Sequence, residues 1–190
     1  MSTAEIRLAT ALSSRELDQA HALLAELVRG GAAIGWVEPP SPADVRSLLD
    51  GVLADARTGD AACAVALRDG ELAGIGYWER YRRPTNRVHA DLARLAVARD
   101  AQGQGIGRSL TEALIAAARA ASIEQLTLDF RADNDAADAL YTSLGFEQYG
   151  RLRDFAAFGE RRYDSCLYAL DLRATPSCLA SRVTRRTRPK

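Results

Sequence analysis

The chain has 190 residues, 47% of them hydrophobic, with 25 basic side chains balanced by 25 acidic ones. This length and apolar share suit one globular domain with a real core, and the zero formal net charge, with a pI near 6.7, argues against a general nucleic-acid or membrane-surface partner. No apolar run approaches a membrane span, no secretory leader is visible near the N-terminus, and Cys63, Cys166 and Cys178 show neither disulfide nor zinc-ligand spacing, so a reducing, cytoplasmic, metal-free setting is expected.

Glu5 to Ala11 alternates around Ile6, Leu8 and Thr10 and reads as a first strand. Ser13 or Ser14 can cap the following helix, whose apolar positions Leu17, Ala20, Leu23, Leu24, Leu27 and Val28 recur at helical spacing until Gly30-Gly31. The apolar segment Ala32 to Val37 is too glycine-rich to read as a strand. A second helix opens on Ser41 with Pro42 at its first position, presents Val45, Leu48, Leu49, Val52 and Leu53 on one side, and ends near Gly59. Ala61 to Leu67 and Leu72 to Trp78 are strands joined by the hairpin signal Asp69-Gly70. After the basic loop Arg80 to Thr85, a strand is expected over Arg87 to Val97. It places Asp91 on one alternating face with His89, Leu95 and Val97; His89 reads as a surface or satisfied residue. A helix follows from Gly105 to Ala121, then a strand from Ile123 to Phe130. A short helix capped by Asp133 or Asn134 runs to Leu144, and strands cover Phe146 to Leu152 and Arg161 to Leu172. Residues 1–173 form one domain in this reading, and residues 174–190 a basic tail with little to bury, expected to be disordered. The alternation of helices and strands fits a mixed α/β layer fold with helices on both faces.

One stretch stands out. An apolar run ending at Val97 meets Gln102-Gly103-Gln104-Gly105-Ile106-Gly107-Arg108, and a helical pattern starts at once. Glycines let backbone come close to a bulky partner, and the first amides of a helix have no intrahelical acceptor and carry partial positive charge. Such a turn can cradle a phosphate, or it can simply be a tight strand-to-helix connection. It lacks the Gly-Lys-Ser/Thr of a P-loop and the glycine spacing of a dinucleotide fingerprint.

The turn resembles the acetyl-CoA pyrophosphate loop of the GNAT N-acetyltransferase superfamily: Gln or Arg, two residues, Gly, one residue, then Gly or Ala. Gln102, Gly105 and Gly107 fill these positions. A second matching segment lies downstream, where Asn134 and Tyr141 stand seven residues apart and Leu144-Gly145-Phe146 follows. The resemblance implies a GNAT fold: a mixed, mostly antiparallel central sheet of six to seven strands flanked by about four helices. It also implies acetyl-CoA as co-substrate. The main chain of Leu95, Ala96 and Val97 would bind the pantetheine arm like an added strand. Residues Gln102, Gly103, Gln104, Gly105, Ile106, Gly107 and Arg108 would hold the pyrophosphate, and Asn134 and Ala137 would contact the pantetheine side. Tyr141 would approach the sulfur and protonate the leaving thiolate.

An amine must lose a proton before it attacks a thioester, and a positioned carboxylate can accept it. Asp91 and Asp129 are the leading candidates, with Glu79 behind them. Val28 to Trp36 is similar to the Gly-Gly-Ala-Ser-Val/Ile-Gly-Phe/Trp segment of tabtoxin-resistance-type acetyltransferases. Asn86-Arg87, Asp129 and Tyr141 also match that group, which places an acidic residue at the position of Asp91. The resemblance makes Trp36 and Tyr77 candidate walls of the acceptor site. The function expected is acetyl transfer to a primary amine of a small molecule, by a monomer or homodimer. Two alternatives are a non-catalytic acyl-CoA-binding module and a protein N-terminal or lysine acetyltransferase.

Overall fold

A computed structural model describes residues 4–173; Cys178 and the tail expected to be disordered lie outside them. The elements in chain order are β1 (Glu5–Ala9), α1 (Ser14–Arg29), α2 (Pro42–Thr58), β2 (Ala61–Arg68), β3 (Glu71–Arg80), β4 (His89–Val97), α3 (Ile106–Ala120), β5 (Gln125–Arg131), α4 (Asp135–Ser143), β6 (Glu147–Phe158) and β7 (Arg161–Asp171). The strands form one seven-stranded sheet in the order β1-β2-β3-β4-β5-β7-β6. Every neighbouring pair is antiparallel except β4–β5. This is the mixed, mostly antiparallel α/β sheet with four flanking α-helices that the sequence leads one to expect.

Local chemistry explains the helix starts. Ser13 and Glu16 form a reciprocal capping box at α1, and Ser41 and Asp44 form another at α2, where Pro42 opens the helix. The two helices lay Leu24, Val45 and Leu49 on one sheet face, against Val65, Ile75 and Tyr77. On the opposite face α3 packs Leu110 and Leu114 against Trp78, Leu92 and Leu126. The buried indole of Trp78 donates to the Leu114 carbonyl at 3.1 Å, so its polar atom has a partner inside this core.

Two differences from the sequence reading have physical causes. β6 continues to Phe158, six residues past Leu152, and turns into β7 at Gly159. Its register breaks between Leu152 and Ala156, and Asp154 takes a φ of 52°, which erases the period-two signal. The second difference matters more. The β3–β4 register shifts so that Trp78 faces Leu92 but Tyr77 faces Arg94, leaving Ala93 as an extra residue. One inserted residue inverts the alternation beyond it. Asp91 therefore does not share a face with Leu95 and Val97, as strict alternation suggests. Leu92, Leu95 and Val97 lie on the α3 side, whereas Asp91 lies opposite Glu79, on the side of Tyr77, Arg94 and Ala96.

The parallel ladder between β4 and β5 is only three pairs long: His89 with Gln125, Ala90 with Leu126, Asp91 with Thr127. Past Asp91, β4 stays with β3 and β5 stays with β7. The sheet opens between them into a wedge, with Asp91 at its apex.

Candidate active site

The wedge contains a cavity of about 330 Å³ lined on one side by β4 from Leu92 to Val97 and on the other by Asp129, Phe130 and α4. The Ala98 amide donates to the Ala73 carbonyl. An antiparallel ladder alternates, so the Ala96 main chain also faces β3, and that of Leu95 and Val97 faces the wedge. Leu95 and Val97 line the cavity; Ala96 does not. The expectation of three consecutive free amides is corrected to these two positions, because the third is consumed by the ladder.

At the mouth lies the glycine turn. Gly103 and Gly105 have φ of 73° and 83°, with nothing within 4 Å of where a Cβ would stand. Among the described residues, no amide from Gly103 to Arg108 donates to a protein acceptor; the first to do so is Ser109, to the Gly105 carbonyl. Bare N–H groups at a helix N-terminus facing open space suit an anionic ligand. Gln102, Gly103 and Gly107 line the cavity, while Gln104, Gly105, Ile106 and Arg108 belong to the turn without lining it. The Gln102 side chain donates to the Val97 carbonyl at 3.0 Å and ties the turn to the strand end. The Arg108 side chain is bonded to Ser143 at 2.6 Å and paired with Glu112, so only its main chain is offered to the turn.

Asn134 accepts from the Ala137 amide at 3.1 Å and thereby caps α4, while both residues line the cavity. Cap and ligand contact are compatible, since the amide nitrogen of Asn134 stays available. Tyr141 also lines the cavity. Its ring is buried between Phe130 and Phe146, with centroids 5.8 and 5.5 Å away, and its hydroxyl makes no hydrogen bond among the described residues. Burial pushes its pKa well above the ordinary 10, so the phenol keeps its proton.

The two candidate carboxylates stand on one face, diagonal across the β4–β5 pair. Asp129 is exposed, lines the cavity and accepts from the Ser165 hydroxyl at 2.8 Å. Asp91 does not line it. Asp91 accepts from Thr127 at 2.8 Å, and Thr127 is bonded to the Tyr81 hydroxyl at 2.6 Å. Burial raises the Asp91 pKa most, the Thr127 hydrogen bond opposes it, and the Asp129 and Glu79 charges raise it further. His89, expected to be a surface or satisfied residue, is half-buried, and its Nδ1 has no partner among the described residues.

A second cavity of about 240 Å³ adjoins the first and shares Ala33, Asp129 and Phe130 with it. Trp36, Phe155 and Phe158 give it aromatic walls. Trp36 lines this second cavity, whereas Tyr77 lines neither. Tyr77 is 3% exposed, and its hydroxyl accepts from Arg94 at 2.5 Å. Sequence reading missed Arg94, Phe130, Arg131, Phe155 and Phe158. Only the position of Arg94 within the wedge strand was a usable sign.

A split sheet, a strand edge with free main chain, and an amide-lined turn together define an α/β protein shaped to receive an extended, phosphate-bearing ligand. The chain belongs to the acetyltransferase (GNAT) family, whose model matches residues 32–146. It is similar to phosphinothricin N-acetyltransferase of Alcaligenes faecalis, at 33% identity over 162 residues, covering 83% of this chain and 79% of that protein. It also resembles the ribosomal protein bS18-alanine N-acetyltransferase of Escherichia coli K12, at 40% identity over 83 residues. That match spans 44% of this chain and little more than half, 56%, of that relative. Among solved structures, a ribosomal-protein-alanine N-acetyltransferase from Brucella melitensis superposes with a TM-score of 0.78 at 27% identity, covering 88% of this chain and 99% of that one.

Proposed function

We propose that the protein is an acetyl-CoA-dependent N-acetyltransferase acting on the primary amine of a small molecule by direct attack. The observation that carries this reading is the junction of the two cavities at Asp129. One cavity runs along a free strand edge from an amide-lined turn, as a pantetheine arm and a pyrophosphate require. The other is small, aromatic-walled and meets the first at a carboxylate. The similarity to a phosphinothricin N-acetyltransferase over most of the chain supports a small acceptor.

Acetyl-CoA supplies a thioester carbonyl and a thiolate leaving group. The turn from Gly103 to Arg108 holds its diphosphate by bare amides, and Leu95 and Val97 align its arm by main-chain bonds. Asp129, facing both cavities, accepts the proton of the incoming ammonium. Asp91 sits behind it, and Thr127, itself bonded to Tyr81, holds its carboxylate. A Leu95 N–H facing the wedge is placed for the oxygen that gains charge on attack. Tyr141, kept protonated by burial, donates to the departing sulfur. No covalent enzyme intermediate is needed. Cys63 is buried, and burial pushes its thiol up to about 12, far from a nucleophile's range.

A thiol-release assay with acetyl-CoA tests this against amino acids, polyamines, aminoglycosides and a peptide with N-terminal alanine. Turnover with a small amine supports the reading. Turnover with the peptide alone makes the protein a protein N-terminal acetyltransferase, and acetyl-CoA binding without any turnover makes it a binding module.

A further inference from the structure

Arg94 follows the bulge residue Ala93 and points to the α1–α2 side of the sheet, where three separate contacts converge on it. Its Nε donates to the Ile34 carbonyl at 2.8 Å, and its Nη1 donates to the Tyr77 hydroxyl at 2.5 Å. Its guanidinium lies 4.1 Å from the centroid of the Trp36 ring, within cation–π range. Gly35 completes the arrangement. At φ of 89°, a conformation that favours glycine, a Cβ there would stand 2.3 Å from Arg94 Nη2, so a side chain at this position would have to push the guanidinium aside. The residues Arg94 grips are not peripheral. Ile34 lines the wedge cavity, and Gly35 and Trp36 line the acceptor cavity. This loop has no regular secondary structure, so its own backbone gives it little reason to hold one shape.

We infer that Arg94 is the positioning residue of the acceptor pocket: it latches residues 34–36 to β4 and so sets the wall against which the amine substrate rests. The kinetic part of this inference rests on the acetyltransferase reading; the structural part does not. Arginine suits the role because its planar fork donates in two directions while its face stacks on indole. Tyr77, which lines neither cavity, anchors the latch. Burial pushes its phenol up to about 12 despite the nearby Arg94 charge, so it remains a neutral acceptor for that guanidinium.

The test compares wild type with Arg94→Met and Arg94→Lys by two readouts. The first is acrylamide quenching of tryptophan fluorescence. The chain has two tryptophans, and Trp78 is 1% exposed, so quenching reports Trp36. Arg94→Met should raise the quenching constant about twofold or more, as expected when a cation–π contact and two charge-assisted hydrogen bonds are lost. Arg94→Lys should fall between, because it keeps charge but loses the fork. Unchanged quenching in Arg94→Met overturns the latch. The second readout is kinetic, with the amine found in the thiol-release panel. Arg94→Met should raise KM for the amine about tenfold, the scale of one lost charge-assisted hydrogen bond. Arg94 also lines the wedge cavity, but its guanidinium is turned to Ile34 and Trp36, so affinity for acetyl-CoA, read by calorimetry, should fall by no more than about threefold. Equal losses for both ligands would make Arg94 an acetyl-CoA contact and overturn the inference. Gly35→Ala should loosen the loop by itself and add less in the Arg94→Met background, since the clash partner is gone; full additivity counts against the latch. Failure of wild type to bind acetyl-CoA would remove the transferase reading while leaving the quenching result to judge the latch.

Discussion

At the scale of single residues, Tyr141 and Asp91 carry opposite consequences of the same burial. Burial favours the neutral form of each. For a phenol that must donate, this is an advantage over the whole working range. Tyr141→Phe is predicted to lower kcat by about 10²-fold or more, the usual scale of a general acid, with acetyl-CoA affinity by calorimetry unchanged. An equal fall in affinity would show the ring to be a binding contact only. In wild type no alkaline loss of activity should come from Tyr141 below its ordinary value of 10, because the shift is upward. For Asp91 the same burial costs stability. Its folded pKa lies above the ordinary 3.8, so below that value folded and unfolded states are both protonated and nothing is lost. As pH rises, the unfolded carboxyl ionises first and stability falls until the folded pKa is passed. Asp91→Asn should therefore gain in melting temperature over wild type as pH rises above the ordinary 3.8, a gain that grows until the folded pKa is passed and then levels off. A constant difference would refute the linkage. Asp129→Asn tests the base directly: a fall of about 10²–10⁴ in kcat is expected, and a variant with full activity would move the role elsewhere.

At the scale of elements, the turn between β4 and α3 depends on two residues whose φ is positive. Gly103→Ala or Gly105→Ala meets no steric neighbour, so each costs only the backbone strain of a left-handed residue, about 1–2 kcal/mol. The melting temperature should drop slightly, while acetyl-CoA affinity drops more, because any relaxation of the backbone turns amides away from the diphosphate. A loss of stability without loss of affinity would mean the turn is only a connection. Much of this element was legible beforehand. The glycine spacing, Gln102 and the helix start are all local, and so are the capping boxes Ser13–Glu16 and Ser41–Asp44. The bulge at Ala93 was not legible. Nothing in His89 to Val97 distinguishes a bulged strand from a regular one, since the extra residue exists only relative to β3. The alternation read from that stretch accordingly put Asp91 on the wrong face and left Arg94 unnoticed. β6 was cut short at Leu152 for the same kind of reason.

At the scale of the whole molecule, the two sheet faces hold separate cores, and the site lies where their shared sheet divides. Leu110 and Leu114 of α3 are fully buried and bear on the wedge strand and its neighbours. Leu110→Ala is predicted to cost about 2–5 kcal/mol in denaturant unfolding, and Trp78→Phe about 1–3 kcal/mol through the lost indole hydrogen bond to the Leu114 carbonyl and the lost contacts. A smaller loss in Leu110→Ala would indicate that α3 can collapse onto the vacated space. Because α3 also presents the amide turn, such variants should weaken acetyl-CoA binding only as far as they unfold the chain.

Sequence alone determined what depends on neighbours along the chain: the helix caps, the strand periods, the glycine turn, and the pairing of Asn134 with Tyr141 on one short helix. Periodicity and capping act within a few residues, so they are written in order. Tertiary structure decided the rest. It showed which strands part after Asp91, which main-chain groups of β4 are left free, that Asp129 joins two cavities, and that Arg94 reaches across to Ile34 and Trp36. These depend on register between strands distant in sequence, where one inserted residue reverses a face, and no local pattern records that choice.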